Sequence, residues 1–117
     1  MKKITIWHNP RCSKSRDALK IVDENNIDKE VVKYLEETPN KKELETILQM
    51  LDITPRELMR TKETIYKELN LKDITDNTKL IEAMVKHPKL IERPILIKGD
   101  KAIIGRPTSI VSEFVNS

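Results

Sequence analysis

The chain has 117 residues, a length suited to one domain that buries roughly two thirds of the surface its unfolded form exposes. Charged residues are 35% and hydrophobic ones 38%, and Lys+Arg 22 against Asp+Glu 19 leave a net charge of only +3, which excludes a disordered or membrane composition. Aromatics are 3% and basic residues alternate with acidic ones, so no nucleic-acid-binding stripe is expected.

We expect a single domain over residues 1–117. The opening "MKKITIWHNP" carries two lysines, but His8, Asn9 and Pro10 interrupt the apolar run that a signal peptide needs. No apolar stretch approaches the ~18 to 20 residues of a membrane span, so no membrane partner is expected. The single cysteine rules out an intramolecular disulfide and makes the cytoplasm, where thiols stay reduced, the expected location.

In chain order, "KITIWH" (3–8) alternates β-branched and polar residues and predicts a strand that Pro10 stops. From Ser13 the period becomes helical, with Ala18, Leu19, Ile21 and Val22 on one face and Asn25-Asn26 as the stop. "EVVKYL" (30–35) predicts a second strand, and "TPNKKELETILQML" (38–51) a helix capped by Asn40 with Glu43 in its first turn. Three short helical patterns follow between Thr54 and Lys86, opened by Thr54-Pro55, around "ETIYKELN", and at "NTKLIEAMVKH". "RPILIKGDKAIIG" (93–105) reads as a hairpin turning at Gly99-Asp100, and "RPTSIVSEFVNS" as a last helix with Pro107 near its first position.

Two strands joined by a helix are expected to be parallel, and the late hairpin antiparallel. The predicted fold is therefore α/β: a thioredoxin-like mixed four-stranded sheet with flanking helices and a helical insertion between strands 2 and 3.

Cys12 falls at the turn from the first strand into the first helix. A helix N-terminus supplies partial positive charge and unpaired N–H groups that favour a thiolate, and the same groups suit an oxyanion beside it. Arg11, Lys14 and Arg16 add positive potential nearby. A protein tyrosine phosphatase loop needs arginine six residues beyond its cysteine, and here that position is Ala18, so this chemistry is excluded. One cysteine with His8 and the distant His87 falls short of a zinc site, and no metal is expected.

His8, at the strand end, is expected to bond within the loop or, when protonated, to favour the thiolate; a solvent-facing strand terminus is the other reading. Ser15 stands where a Cys-x-x-Cys motif has its second thiol, and can donate to the sulfur or satisfy first-turn backbone groups. Arg60, Arg93 and Arg106 complete the candidates. The last two precede prolines, which favours extended backbone, and so mark the start of one hairpin strand and the end of the next, side by side. Planar guanidinium groups suit a tetrahedral oxyanion.

"HNPRCSKSR", "LMR" ending at Arg60, "HPKLIERP" and "GRP", in this order, resemble the ArsC family of glutaredoxin-coupled arsenate reductases over essentially the whole chain. The "CSKS" loop is most similar to a chromosomal ArsC-like subgroup, the plasmid-encoded members having Gly-Thr-Ser after the cysteine. The resemblance implies that Cys12 attacks arsenate, that Arg60, Arg93 and Arg106 hold the oxyanion, and that the Arg93-Pro94 bond is cis. It implies glutathione as the reducing cosubstrate and glutaredoxin as a partner, with no bound cofactor. The lack of a second cysteine requires that resolving thiols come from outside. Two alternatives share the fold: a monothiol glutathione-dependent oxidoreductase acting on another substrate, and an Spx-like regulator that binds RNA polymerase.

Overall fold

The structure, a computed structural model, describes residues 3–116. In chain order its elements are β1 (Ile4–Trp7), α1 (Ser13–Glu24), β2 (Lys29–Val32), α2 (Lys41–Leu51), α3 (Pro55–Leu58), α4 (Thr64–Glu68), α5 (Asn77–Lys86), β3 (Ile95–Lys98), β4 (Lys101–Ile104) and α6 (Ser109–Val115). Short 3₁₀ turns lie at Leu71–Asp73 and Pro88–Leu90. The chain divides into two compact units, one built from the stretches up to Glu37 and from Arg93 onward, the other from Thr38–Glu92.

The first unit is the sheet with α1 and α6. Strand order is β2-β1-β3-β4, with β1 parallel to β2 and both β1–β3 and β3–β4 antiparallel, which is the thioredoxin-like mixed sheet expected. Period-two alternation places Ile4 and Ile6 on one face of β1, where they join Leu96 of β3, Ala18 and Val22 of α1, and Val111 and Val115 of α6 in one core. Each large aliphatic side chain buried there contributes about 1.5–3 kcal/mol, enough to fix which face of each strand turns inward.

Local chemistry explains the element ends. α1 stops where Asn26 takes φ 54°, a left-handed conformation that Asn tolerates. Gly99, with φ 63°, opens the two-residue β3–β4 connection, where such a conformation matches strand twist. β2 is shorter than expected: Lys33 O accepts N–H groups from Glu36 and Glu37, so 33–35 belong to a turn and not to the strand. Pro107 also departs from expectation. α6 begins at Ser109 after Thr108, and Pro107 stays outside the helix with its carbonyl accepting Ile110 N–H at 3.2 Å.

The second unit is the helical insertion. Asn40 and Glu43 form a reciprocal capping box at α2, and Thr54 and Glu57 repeat it at α3, with Pro55 at its first turn. The Thr54 N–H and hydroxyl hold the Glu57 carboxyl below its usual range. α5 packs on α2 and α3 through an apolar face that includes Leu80 and Met84. Arg56 ties the unit together: its guanidinium donates to the Leu71 carbonyl at 3.2 Å, and also to the Ile74 carbonyl and the Tyr66 hydroxyl.

Candidate active site

The loop between β1 and α1 is built by its own residues. His8 N–H continues the parallel ladder to Val32 O at 2.8 Å, after which Asn9, Pro10, Arg11 and Cys12 form a turn closed by Cys12 N–H to Asn9 O at 3.0 Å. Pro10 at its second position presets the backbone, and Asn9 Oδ1 accepts Arg11 N–H at 3.0 Å. Arg16 reaches back from α1 to Pro10 O at 3.0 Å. Asn9 is thus a site-shaping residue beyond those expected from the sequence, where the Asn-Pro pair carries its turn signal.

The turn delivers Cys12 to the N-cap position of α1, with extended φ −96° and ψ 122°. No side-chain cap of ordinary geometry closes the helix. The sulfur, partly exposed, stands there instead. Burial pushes the Cys12 thiol up, but the N–H of Ser15, the Arg93 side chain and the N–H of Lys14 together outweigh it, so the thiol lies below its ordinary value. Arg106 Nη2 is 3.5 Å from Cys12 Sγ, and Arg106 Nε donates to Arg93 O at 2.7 Å. The two arginines meet because Ile95 and Ile104 pair at the open end of the hairpin. The Arg93-Pro94 bond is cis, as the resemblance implies, and Arg106-Pro107 is cis as well.

Gly105 makes room for this arrangement. Its N–H bonds to Pro94 O at 2.8 Å, and a Cβ there would lie 2.9 Å from Pro94 Cγ and 3.1 Å from both Leu96 Cδ1 and Val111 Cγ2. Only a residue without a side chain lets the backbone bring Arg106 in at this distance.

Behind the sulfur is a buried polar group. Ser15 is fully buried, and its Oγ accepts Asn9 N–H at 3.0 Å and lies 2.7 Å from His8 Nδ1. The hydroxyl therefore faces His8, and it is the Ser15 amide that serves the sulfur, which corrects the expectation of a side-chain bond to Cys12. His8 is buried too, which excludes a solvent-facing strand terminus. Burial first, then the charges of Lys33 and Arg16, lower its pKa against the opposing bond to Ser15. The balance disfavours the protonated imidazole, so His8 is poorly placed to favour the thiolate as a cation, and it is not among the groups that lower the Cys12 pKa.

Cys12, His8, Ser15, Arg93 and Arg106 come together in the first unit. Arg60 lies in the second, where Nη1 donates to Glu92 Oε1 at 3.0 Å and Nε is 3.6 Å from Glu63 Oε1. Its main-chain N–H bonds to Leu90 O at 2.7 Å. The pairing across 32 residues to Glu92 carries no local sequence signal. Among the described residues no group of three or more His, Cys, Asp or Glu is placed to hold a metal, and no helix is long and apolar enough to cross a membrane.

Chemically, the first-unit cluster presents a thiol biased toward its nucleophilic form, with helix N–H groups and two guanidinium groups in position to receive a tetrahedral anion.

Residues 7–114 match the model of the ArsC family. The chain is 50% identical over 116 residues to the uncharacterized protein YfgD of Escherichia coli K12, covering 97% of this chain and 98% of that protein. It is 48% identical over 109 residues to a protein named arsenate reductase from Neisseria meningitidis serogroup A, covering 92% and 93% respectively. A solved structure described as arsenate reductase from Vibrio cholerae superposes with a TM-score of 0.92 at 45% identity, over 96% of this chain and 97% of that one. With the family model matching most of the chain, and with these relatives covered over nearly their whole length, this protein is a member of the ArsC family.

Proposed function

We propose that this protein is an arsenate reductase that uses external thiols, glutathione and glutaredoxin, as its reductants. The observation that carries the reading is Arg106 Nη2 at 3.5 Å from a Cys12 sulfur whose pKa is lowered, which joins a nucleophile to an anion ligand. Relatives named arsenate reductase at 48% and 45% identity support arsenate as the anion.

In this reading the Cys12 thiolate attacks arsenic and an arsenate oxygen leaves as water after protonation. Arg93 and Arg106 offset the charge of the adduct, and the Lys14 and Ser15 amides orient the sulfur. Glutathione thiolate then attacks the Cys12 sulfur. The sulfur–arsenic bond breaks with its electron pair on arsenic, which leaves as arsenite, and a Cys12–glutathione disulfide remains. A glutaredoxin thiolate takes the glutathionyl group and frees Cys12. Two thiols become one disulfide for each arsenic reduced, and no bound cofactor is needed. The reducing thiol pool of the cytoplasm suits such a cycle.

The test is arsenite production from arsenate with glutathione and glutaredoxin, comparing wild type with Cys12→Ser. Turnover that persists in Cys12→Ser, or is absent from wild type, sinks the reading. Deglutathionylation of a model disulfide without any arsenate turnover would favour the monothiol oxidoreductase instead. The role that the family motif implies for Arg60 is tested separately by the arsenate KM of Arg60→Ala.

A further inference from the structure

The mechanism above makes no use of a cavity that adjoins the cysteine loop. A space of about 260 Å³ opens where the parallel strands β1 and β2 end, lined by the buried His8 and Asn9 and by Arg11, Lys33, Leu35 and Glu36. Crevices at the carboxyl ends of parallel strands are frequent ligand sites in α/β folds. Its charged lining residues are uncommitted: among the described residues the side chains of Arg11, Lys33 and Glu36 form no ion pair and no hydrogen bond. Lys33 nonetheless points its field into the loop, since its charge is felt at His8.

Two cations, one carboxylate and an aliphatic side chain around one small space are the complement of an amino acid zwitterion. A planar guanidinium and an ammonium receive a carboxylate, and the glutamate receives an ammonium group. The volume lies below the ~300 Å³ at which pockets begin to enclose whole drug-sized molecules, so it suits one end of a longer ligand. Arg11 on its lining is the immediate neighbour of Cys12, and an extended peptide advances about 3.5 Å per residue. A thiol one or two residues from an anchored end can therefore work along the loop toward the sulfur.

We propose that this cavity binds the α-amino acid end of a peptide thiol, with Arg11 and Lys33 holding its carboxylate and Glu36 its ammonium group. The inference rests on the reading that Cys12 turns over with an external thiol, and it names where that thiol is recognised.

The probe is S-methylglutathione, which cannot form a disulfide, titrated calorimetrically into the full-length Cys12→Ser protein. Binding is expected, weakened about tenfold by Lys33→Ala and by Glu36→Gln, and weakened similarly when the probe's carboxylates are esterified. All three charged positions are exposed, so these substitutions leave the core untouched. Undetectable binding, or a Kd that either substitution leaves unchanged, overturns the inference. Because the titration involves neither arsenate nor Cys12, binding with no arsenate turnover separates failure of the functional reading from failure of this one.

Discussion

Arg106 is bound to both sides of the candidate centre at once: Nη2 meets Cys12 Sγ at 3.5 Å, and Nε is anchored on the Arg93 carbonyl at 2.7 Å. Arg93 in turn lowers the thiol pKa through hydrogen bonding and charge. Both guanidinium groups therefore bear on the sulfur, Arg93 by favouring its ionised form and Arg106 through its contact with Sγ, and Arg106 also links the hairpin to it.

Replacing Arg93 with alanine is expected to raise the pH midpoint of Cys12 alkylation by iodoacetamide, since a group that favours the thiolate is removed. Arsenate turnover should fall by about 10², the usual loss when one charge-stabilising donor is deleted. Urea midpoints should change little, because the guanidinium supports no apolar core. A turnover loss matched by an equal loss of stability would count against the anion role.

His8 predicts a pH dependence. Its folded pKa is lowered from 6.5, chiefly by burial, so the unfolded chain binds a proton that the folded one resists. The stability associated with neutral His8 is complete above 6.5 and is lost as pH falls through that value toward the lowered folded pKa. Urea midpoints between pH 7.5 and 5.5 should thus drop more for wild type than for His8→Gln. Parallel curves would show that the imidazole charges freely in the folded loop.

Gly105→Ala is expected to be costly, because Gly105 is buried just beyond the end of β4. The added methyl would sit 2.9 Å from Pro94 Cγ with two more contacts at 3.1 Å, and overpacking of this kind costs about 1–3 kcal/mol. A melting temperature lower by roughly 4–8 °C per kcal/mol is the scale for a chain of this size. The same variant should alkylate at a higher pH midpoint, because the strand that carries Arg106 is displaced. A melting temperature within a degree of wild type would mean that the backbone gives way without strain.

Arg56→Ala removes a guanidinium shared by the Leu71 and Ile74 carbonyls and the Tyr66 hydroxyl. Hydrogen bonds to charged groups contribute about 1.5–3 kcal/mol, and a loss of about that size is expected in urea denaturation. Arg56→Lys should recover little of it, since one ammonium cannot span acceptors set out for a planar fork. Full rescue by lysine would reduce the interaction to charge alone.

The parts of this molecule legible in its sequence are those in which residues near in the chain act on one another. The Asn40 and Thr54 caps, the Gly99 turn, the alternation of Ile4 and Ile6, and the Asn9-Pro10 turn all carry their own chemistry, and the strands and helices followed from them. Pro107 misled because a proline just before a helix and one inside its first turn leave the same local pattern. The direction of the Ser15 hydroxyl was hidden for another reason: three groups compete for it, and only the packed loop decides that His8 and Asn9 win. Pairings such as Arg60 with Glu92, or Arg56 with the Ile74 carbonyl, depend on how a whole unit folds back, and no spacing rule announces them.

Because the sulfur of Cys12 occupies the cap position of α1 and no other side chain takes it, the first turn of that helix registers the chemical state of a single atom. Protonating, alkylating or derivatising that atom alters what the Lys14 and Ser15 amides face. Their NMR shifts and hydrogen-exchange rates should follow each covalent form of the cysteine in turn, giving an intrinsic, label-free readout of the state of that sulfur from two backbone positions.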